Sequence, residues 1–110
     1  MPRRDPAILL DDIRTAIARV GEYTAGMDRP AFRKDQKTVD AVVRNLEIIG
    51  EAVRQLPEPF KQMHPDIPWT QIAGLRNRIV HDYFDLDLEI IWQVIYHDLP
   101  SLQIQLENLA

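Results

Sequence analysis

Arg76, His81 and Tyr83 stand in the spacing R-x-x-x-x-H-x-Y, inside the run Arg76-Asn77-Arg78-Ile79-Val80-His81-Asp82-Tyr83-Phe84. A guanidinium grips phosphate oxygens in pairs, an imidazole moves protons near neutral pH, and a phenol carries a modifiable hydroxyl. Gathered this tightly, they point to phosphodiester chemistry. Cleavage of RNA by its own 2′-hydroxyl needs a base for the attacking oxygen and an acid for the leaving oxygen. His81 is the candidate for proton transfer, and Arg76 for charge stabilisation at the phosphate. Asn77 is placed to orient His81 or bond the substrate, and Arg78 to assist or hold flanking backbone. The scheme needs neither metal nor cofactor. His81-Asp82 and His97-Asp98 invite comparison with metal phosphohydrolases, yet their spacing fits no zinc pattern and His64 stands apart.

On a continuous helix, residues five apart diverge by about 140°, whereas residues seven apart nearly eclipse. Arg76 then aligns with Tyr83 rather than with His81. For both to serve one phosphate, either the helix unwinds near Val80 or two chains share the site. A twofold axis beside the motif favours the second arrangement, since it brings two His81 side chains, one acid and one base, into one cleft.

The elements that must carry these residues read as helices. Asp5-Pro6 starts the first, with Ile8, Leu9, Ile13, Ala16, Ile17 and Val20 as its apolar stripe and Gly26 breaking the pattern. A polar connector runs to about Asp35. The second helix, about 36–56, buries Val39, Val42, Val43, Leu46, Ile49, Val53 and Leu56, while Gly50 within it signals close approach by another backbone. Its stripe of Arg44, Glu47, Glu51 and Arg54 reads as intrahelical ion pairing on a wet face. Pro57, Pro59, Pro65 and Pro68 interrupt the pattern, leaving a short turn around Phe60 to Met63. A third main helix from Pro68 to about Tyr83 carries the motif. Asp85-Leu86-Asp87 caps the next, and Pro100 either kinks that helix or starts another. The sequence thus predicts an all-α, antiparallel up-and-down bundle of four to five helices in a single domain spanning residues 1–110.

Composition excludes several function classes. At 45% apolar and 27% charged residues, the chain has the balance of a soluble globular protein, with no apolar run of membrane length and no signal-peptide core. The absence of cysteine excludes disulfide frameworks and thiolate metal sites and is compatible with a cytoplasmic location. A net charge of -4 argues against a general polyanion-binding surface. The charge is also uneven: six acids and no Lys or Arg follow Arg78, so RNA contact must be local. Arg29, Arg33, Lys34, Lys37, Arg76 and Arg78 are the basic candidates.

With these residues in hand, the chain resembles the HepT-like ribonuclease toxins of the HEPN superfamily. The superfamily signature is R-x-x-x-x-H, with a polar residue commonly after the arginine, the place of Asn77; the HepT branch adds the tyrosine, met by Tyr83. The resemblance extends over Thr38-Val39-Asp40-Ala41-Val42-Val43-Arg44-Asn45-Leu46-Glu47-Ile48-Ile49-Gly50-Glu51-Ala52, Ile67-Pro68-Trp69 and Asp87-Leu88-Glu89-Ile90-Ile91-Trp92. It implies a helical homodimer with a metal-independent RNA-cleaving site across the interface, built from Arg76 and His81. It also implies an antitoxin partner, a minimal nucleotidyltransferase (MNT) that adds AMP to Tyr83 and forms higher-order complexes with the toxin. An attached AMP would set a phosphate beside Arg76, in competition with RNA. Two other readings stand beside this one: a noncatalytic subunit that binds a nucleotide or presents Tyr83 to a transferase, and a helical assembly domain stabilised by its charged motif.

Overall fold

The computed structural model describes residues 5–82 and 85–109, with the side chains of 80–82 and 85–86 outside that description. Four of the helix starts follow one chemical rule. Asp5, Asp28, Asp35 and Asp87 each accept a first-turn backbone N–H, from Ala7 at 2.8 Å, Ala31 at 2.9 Å, Thr38 at 3.0 Å and Ile90 at 3.1 Å. A carboxylate there satisfies a donor with no partner inside the helix and faces the positive end of its dipole. Helix α1 spans Pro6–Thr24, α2 Arg29–Lys34, α3 Gln36–Gln55 and α4 Glu58–Gln62. Helix α2 falls within the expected polar connector. Its Asp28 cap and its Pro30 repeat the Asp5-Pro6 start signal one residue apart.

Helix α3 is the centre of the bundle. It packs along α1 on one side and against α5 (Trp69–Ala73) and α6 (Leu75–Ile79) on another. Its expected stripe is inside, with Val39, Val42, Leu46, Ile49 and Val53 buried and Val43 only partly so. Along α1 the stripe shifts slightly: Leu10 is buried, whereas Ile8 is 45% exposed. Phe32 of α2 is fully buried against Trp92, with ring centroids 5.4 Å apart. Burial of such a side chain contributes about 1.5–3 kcal/mol, which accounts for a helix of only one and a half turns lying ordered here. Trp69 closes the proline-rich segment, its indole N–H shared between the carbonyls of Lys61 at 3.1 Å and His64 at 3.0 Å.

The motif helix is shorter than expected. It breaks at Gly74 and ends at Ile79, four residues before Tyr83, and the chain continues as paired antiparallel strands, β1 (Val80–Asp82) and β2 (Asp85–Leu86). The local sequence explains the change. Ile79 and Val80 are adjacent β-branched residues, stiff in a helix and well suited to extended backbone. Asp87 donates its N–H to the Ile79 carbonyl at 2.8 Å and then caps α7 (Leu88–Gln93). At Pro100 the helix neither simply kinks nor stops. Val94–Asp98 widens into a π-helical segment in which Leu99 N–H bonds the Val94 carbonyl, and α8 (Leu99–Glu107) follows. Proline lacks an N–H and its ring crowds the carbonyl four residues back, here that of Tyr96, so the wider register relieves the conflict.

Among the described residues the architecture is thus an all-helical bundle with one small strand pair, and no helix is long and apolar enough to cross a membrane. The Asp35 cap makes a specific prediction. Hydrogen bonds from Thr38, backbone first, hold its carboxyl below its usual pKa, with nearby Lys37 adding to the effect. A depressed folded-state pKa stabilises above the unfolded value and loses that contribution as pH falls through the folded one. Asp35→Ala should therefore lower the urea midpoint at pH 7, and the gap to the unsubstituted protein should narrow in acid below the usual carboxylate range.

Candidate active site

Helix α6 positions the motif by burying Leu75 and Ile79, four residues apart, and leaving Arg76, Asn77 and Arg78 exposed between them. The two arginines part company. Successive helical residues turn by about 100°, so residues two apart face nearly opposite ways. Arg76 lines an open cleft of about 490 Å³ with Asp12 of α1 and Arg44, Glu47, Gly50 and Glu51 of α3. Arg78 instead turns toward the π-helical segment, with Nη1 3.1 Å from Asp98 Oδ2. That carboxylate oxygen is buried without an aligned hydrogen bond, so the contact is a charge pair rather than a bonded fork. The Asn77 side chain makes no hydrogen bond with the described residues.

The backbone of His81 lies in β1, past the end of the helix. Unwinding at Val80, one of the two arrangements open to the sequence, is therefore what occurs. Helical phase no longer separates His81 from Arg76, and it no longer aligns Arg76 with Tyr83, because that alignment assumed a helix reaching residue 83. Tyr83 lies outside the described residues, as does the His81 side chain. Both ends of the motif segment are fixed, at Ile79, which is fully buried, and at Asp87, whose N–H closes onto the Ile79 carbonyl.

Other charged candidates sort by partner. Arg29 and Arg33 converge on Glu89 at 3.6 and 3.2 Å, which removes much of the net charge of the expected basic segment. The α3 stripe is only partly self-paired. Glu51 pairs with Arg54 at 3.7 Å within the helix, as expected, but Glu47 reaches across to Arg76, its Oε1 4.0 Å from Nε. Sequence spacing alone does not single out Glu47; the signal for it is Gly50, one turn on, marking where another backbone comes close. A Cβ at Gly50 would meet the carbonyl oxygens of Ala73 at 3.3 Å and Ile72 at 3.4 Å, so α3 and the end of α5 touch backbone to backbone. His97 is exposed on the π-helical segment, in keeping with a surface role.

Residues 13–109 match the family model described as Ribonuclease HepT-like. The chain belongs to the HepT-like ribonuclease family. It is 42% identical over 100 residues to a probable ribonuclease HepT of Thermococcus cleftensis, covering 91% of each chain. A putative RNase of Methanocaldococcus jannaschii is 41% identical over 101 residues, 92% of this chain and 84% of its own. Another, from Caldanaerobacter subterraneus subsp. tengcongensis, is 41% identical over 88 residues, covering 80% and 79%. No solved structure matches. Within this HepT-like chain the two motif arginines differ in environment, and stability should report it. Arg78→Ala, which strands the Asp98 carboxylate, should cost up to about 1 kcal/mol in urea unfolding, the range of a half-exposed pair. Arg76→Ala should leave the unfolding midpoint within error.

Proposed function

We propose that the protein is a cytosolic endoribonuclease toxin, acting through residues 1–110 as one domain, that cleaves RNA without a metal at a site shared between two subunits. The observation that carries this reading is Arg76, an exposed guanidinium in an open cleft, five residues before a histidine that the chain has already taken out of the helix. Family membership and the RNase names of its relatives support it.

In this scheme Arg76 holds the two nonbridging oxygens of the scissile phosphate through its planar fork, where charge builds in the transition state. His81 of one subunit removes the proton of the ribose 2′-hydroxyl, and the freed oxygen pair attacks phosphorus. The bond to the 5′-oxygen breaks as His81 of the partner subunit delivers a proton to it, leaving a 2′,3′-cyclic phosphate and a 5′-hydroxyl. Asn77 hydrogen-bonds the substrate or orients His81. Arg78, already paired with Asp98, is limited to flanking backbone. The partner in this reading is an MNT-type nucleotidyltransferase antitoxin that transfers AMP from ATP to Tyr83: the hydroxyl oxygen, losing its proton, bonds the α-phosphorus as the α–β bond breaks and pyrophosphate leaves. The added phosphate then competes with RNA for Arg76.

Purified protein should cut RNA in the presence of EDTA, and Arg76→Ala and His81→Ala should each abolish cutting while circular dichroism and thermal midpoint hold. Cleavage retained in both variants would sink the assignment. Tyr83→Phe should keep its nuclease activity and lose any inhibition by AMP transfer. Persistent inhibition with a mass gain of AMP elsewhere would remove Tyr83 from the regulatory role.

A further inference from the structure

We infer that Glu47 is a positioning residue for Arg76, a role that rests on the reading of Arg76 as the phosphate-binding arginine. Arginine carries four rotatable side-chain bonds, and the Arg76 side chain is 68% exposed, so nothing in the apolar core restrains its head. Its ion-pair partner among the described residues is Glu47, 29 positions earlier in the chain. The approach direction matters. Glu47 Oε1 lies at the Nε edge of the guanidinium, 4.0 Å away, which leaves the two terminal amino groups free for the oxygens of a phosphate. The distance is longer than a hydrogen bond, so the restraint is electrostatic.

The geometry behind this contact is stiff. Glu47 sits one turn before Gly50, whose missing side chain lets α3 meet the carbonyls of Ile72 and Ala73. Arg76 follows Ala73 by three residues, and α6 starts directly after the break at Gly74, with Arg78 N–H on the Gly74 carbonyl at 3.2 Å. Backbone contact therefore sets the separation of the two helices, and within it the ion pair with Glu47 is what restrains the Arg76 head. Glu51, one turn further along the same helix, spends its charge on Arg54 and cannot substitute. In the same cleft Arg44 has no ion pair with the described residues and stands beside Asp12, Glu47 and Glu51.

A carboxylate beside a phosphate site has two opposing effects, and their separation is the test. It repels bound RNA, which weakens binding, and it orders Arg76, which favours the transition state. Glu47→Ala should lower kcat for RNA cleavage by roughly 10- to 100-fold, the scale of losing catalytic alignment. KM should stay unchanged or fall. Glu47→Gln keeps an oxygen at the same reach and should fall between Ala and the unsubstituted protein. Glu47 is 40% exposed, so the thermal midpoint should move little in either variant. A kcat within twofold of the unsubstituted protein in both variants overturns the inference, as does a loss confined to a raised KM. Arg76→Ala measured alongside separates the two levels: if it still cleaves, the site reading itself has failed. If it is inactive while both Glu47 variants run at full rate, only the role of Glu47 has failed.

Discussion

Helix α3 touches the end of α5 backbone to backbone at Gly50, and the arrangement of the candidate site depends on that contact. A side chain at this position would meet two carbonyl oxygens at 3.3 and 3.4 Å and force the helices apart. Glycine costs about 1 kcal/mol of helix propensity against alanine. In exchange α3 comes near enough to α5 and α6 that residues 29 apart in sequence, Glu47 and Arg76, face each other across a cleft. The burial of Leu75 and Ile79 turns α6 so that Arg76 looks into the cleft and Arg78 away from it.

The second constraint is local and lies in the motif itself. Consecutive β-branched residues at Ile79 and Val80 favour leaving the helix, and the Ile79 carbonyl is then satisfied by Asp87 at 2.8 Å rather than by a residue further along the helix. On a continuous helix the histidine would be held about 140° around the axis from Arg76 of the same chain. Placed beyond the helix end, His81 is released from that angle. The short strand pair ends the helix between the two candidate residues, Arg76 and His81.

Much of the fold was legible in the sequence because its signals are local. The aspartate caps at Asp5 and Asp87 and the apolar stripe of α3 fall within a residue or two of where the local signals put them. Helix α2 was equally signalled by Asp28 and Pro30, but its polar surface hid an apolar anchor, Phe32, whose burial depends on the distant Trp92. The end of the motif helix is hidden in the sequence for a related reason. Ile72, Leu75 and Ile79 keep helical spacing, and the β-branched pair that follows counts only once the return strand is available to pair with it. The candidate site divides in the same way: the motif spacing identifies Arg76 and His81, whereas Glu47 looks like one more charge on a wet helix face until α6 is packed against it.

The proposed reaction has an arginine and a histidine cleave RNA by activating its own ribose. End-group analysis of RNA cut by the purified protein in EDTA tests this most directly, with a matched substrate carrying a single 2′-deoxynucleotide at the cut position. The expected result is 2′,3′-cyclic phosphate and 5′-hydroxyl ends from RNA and no cut at the deoxy position. Products with 5′-phosphates, or cleavage that proceeds at the deoxy position, would contradict it.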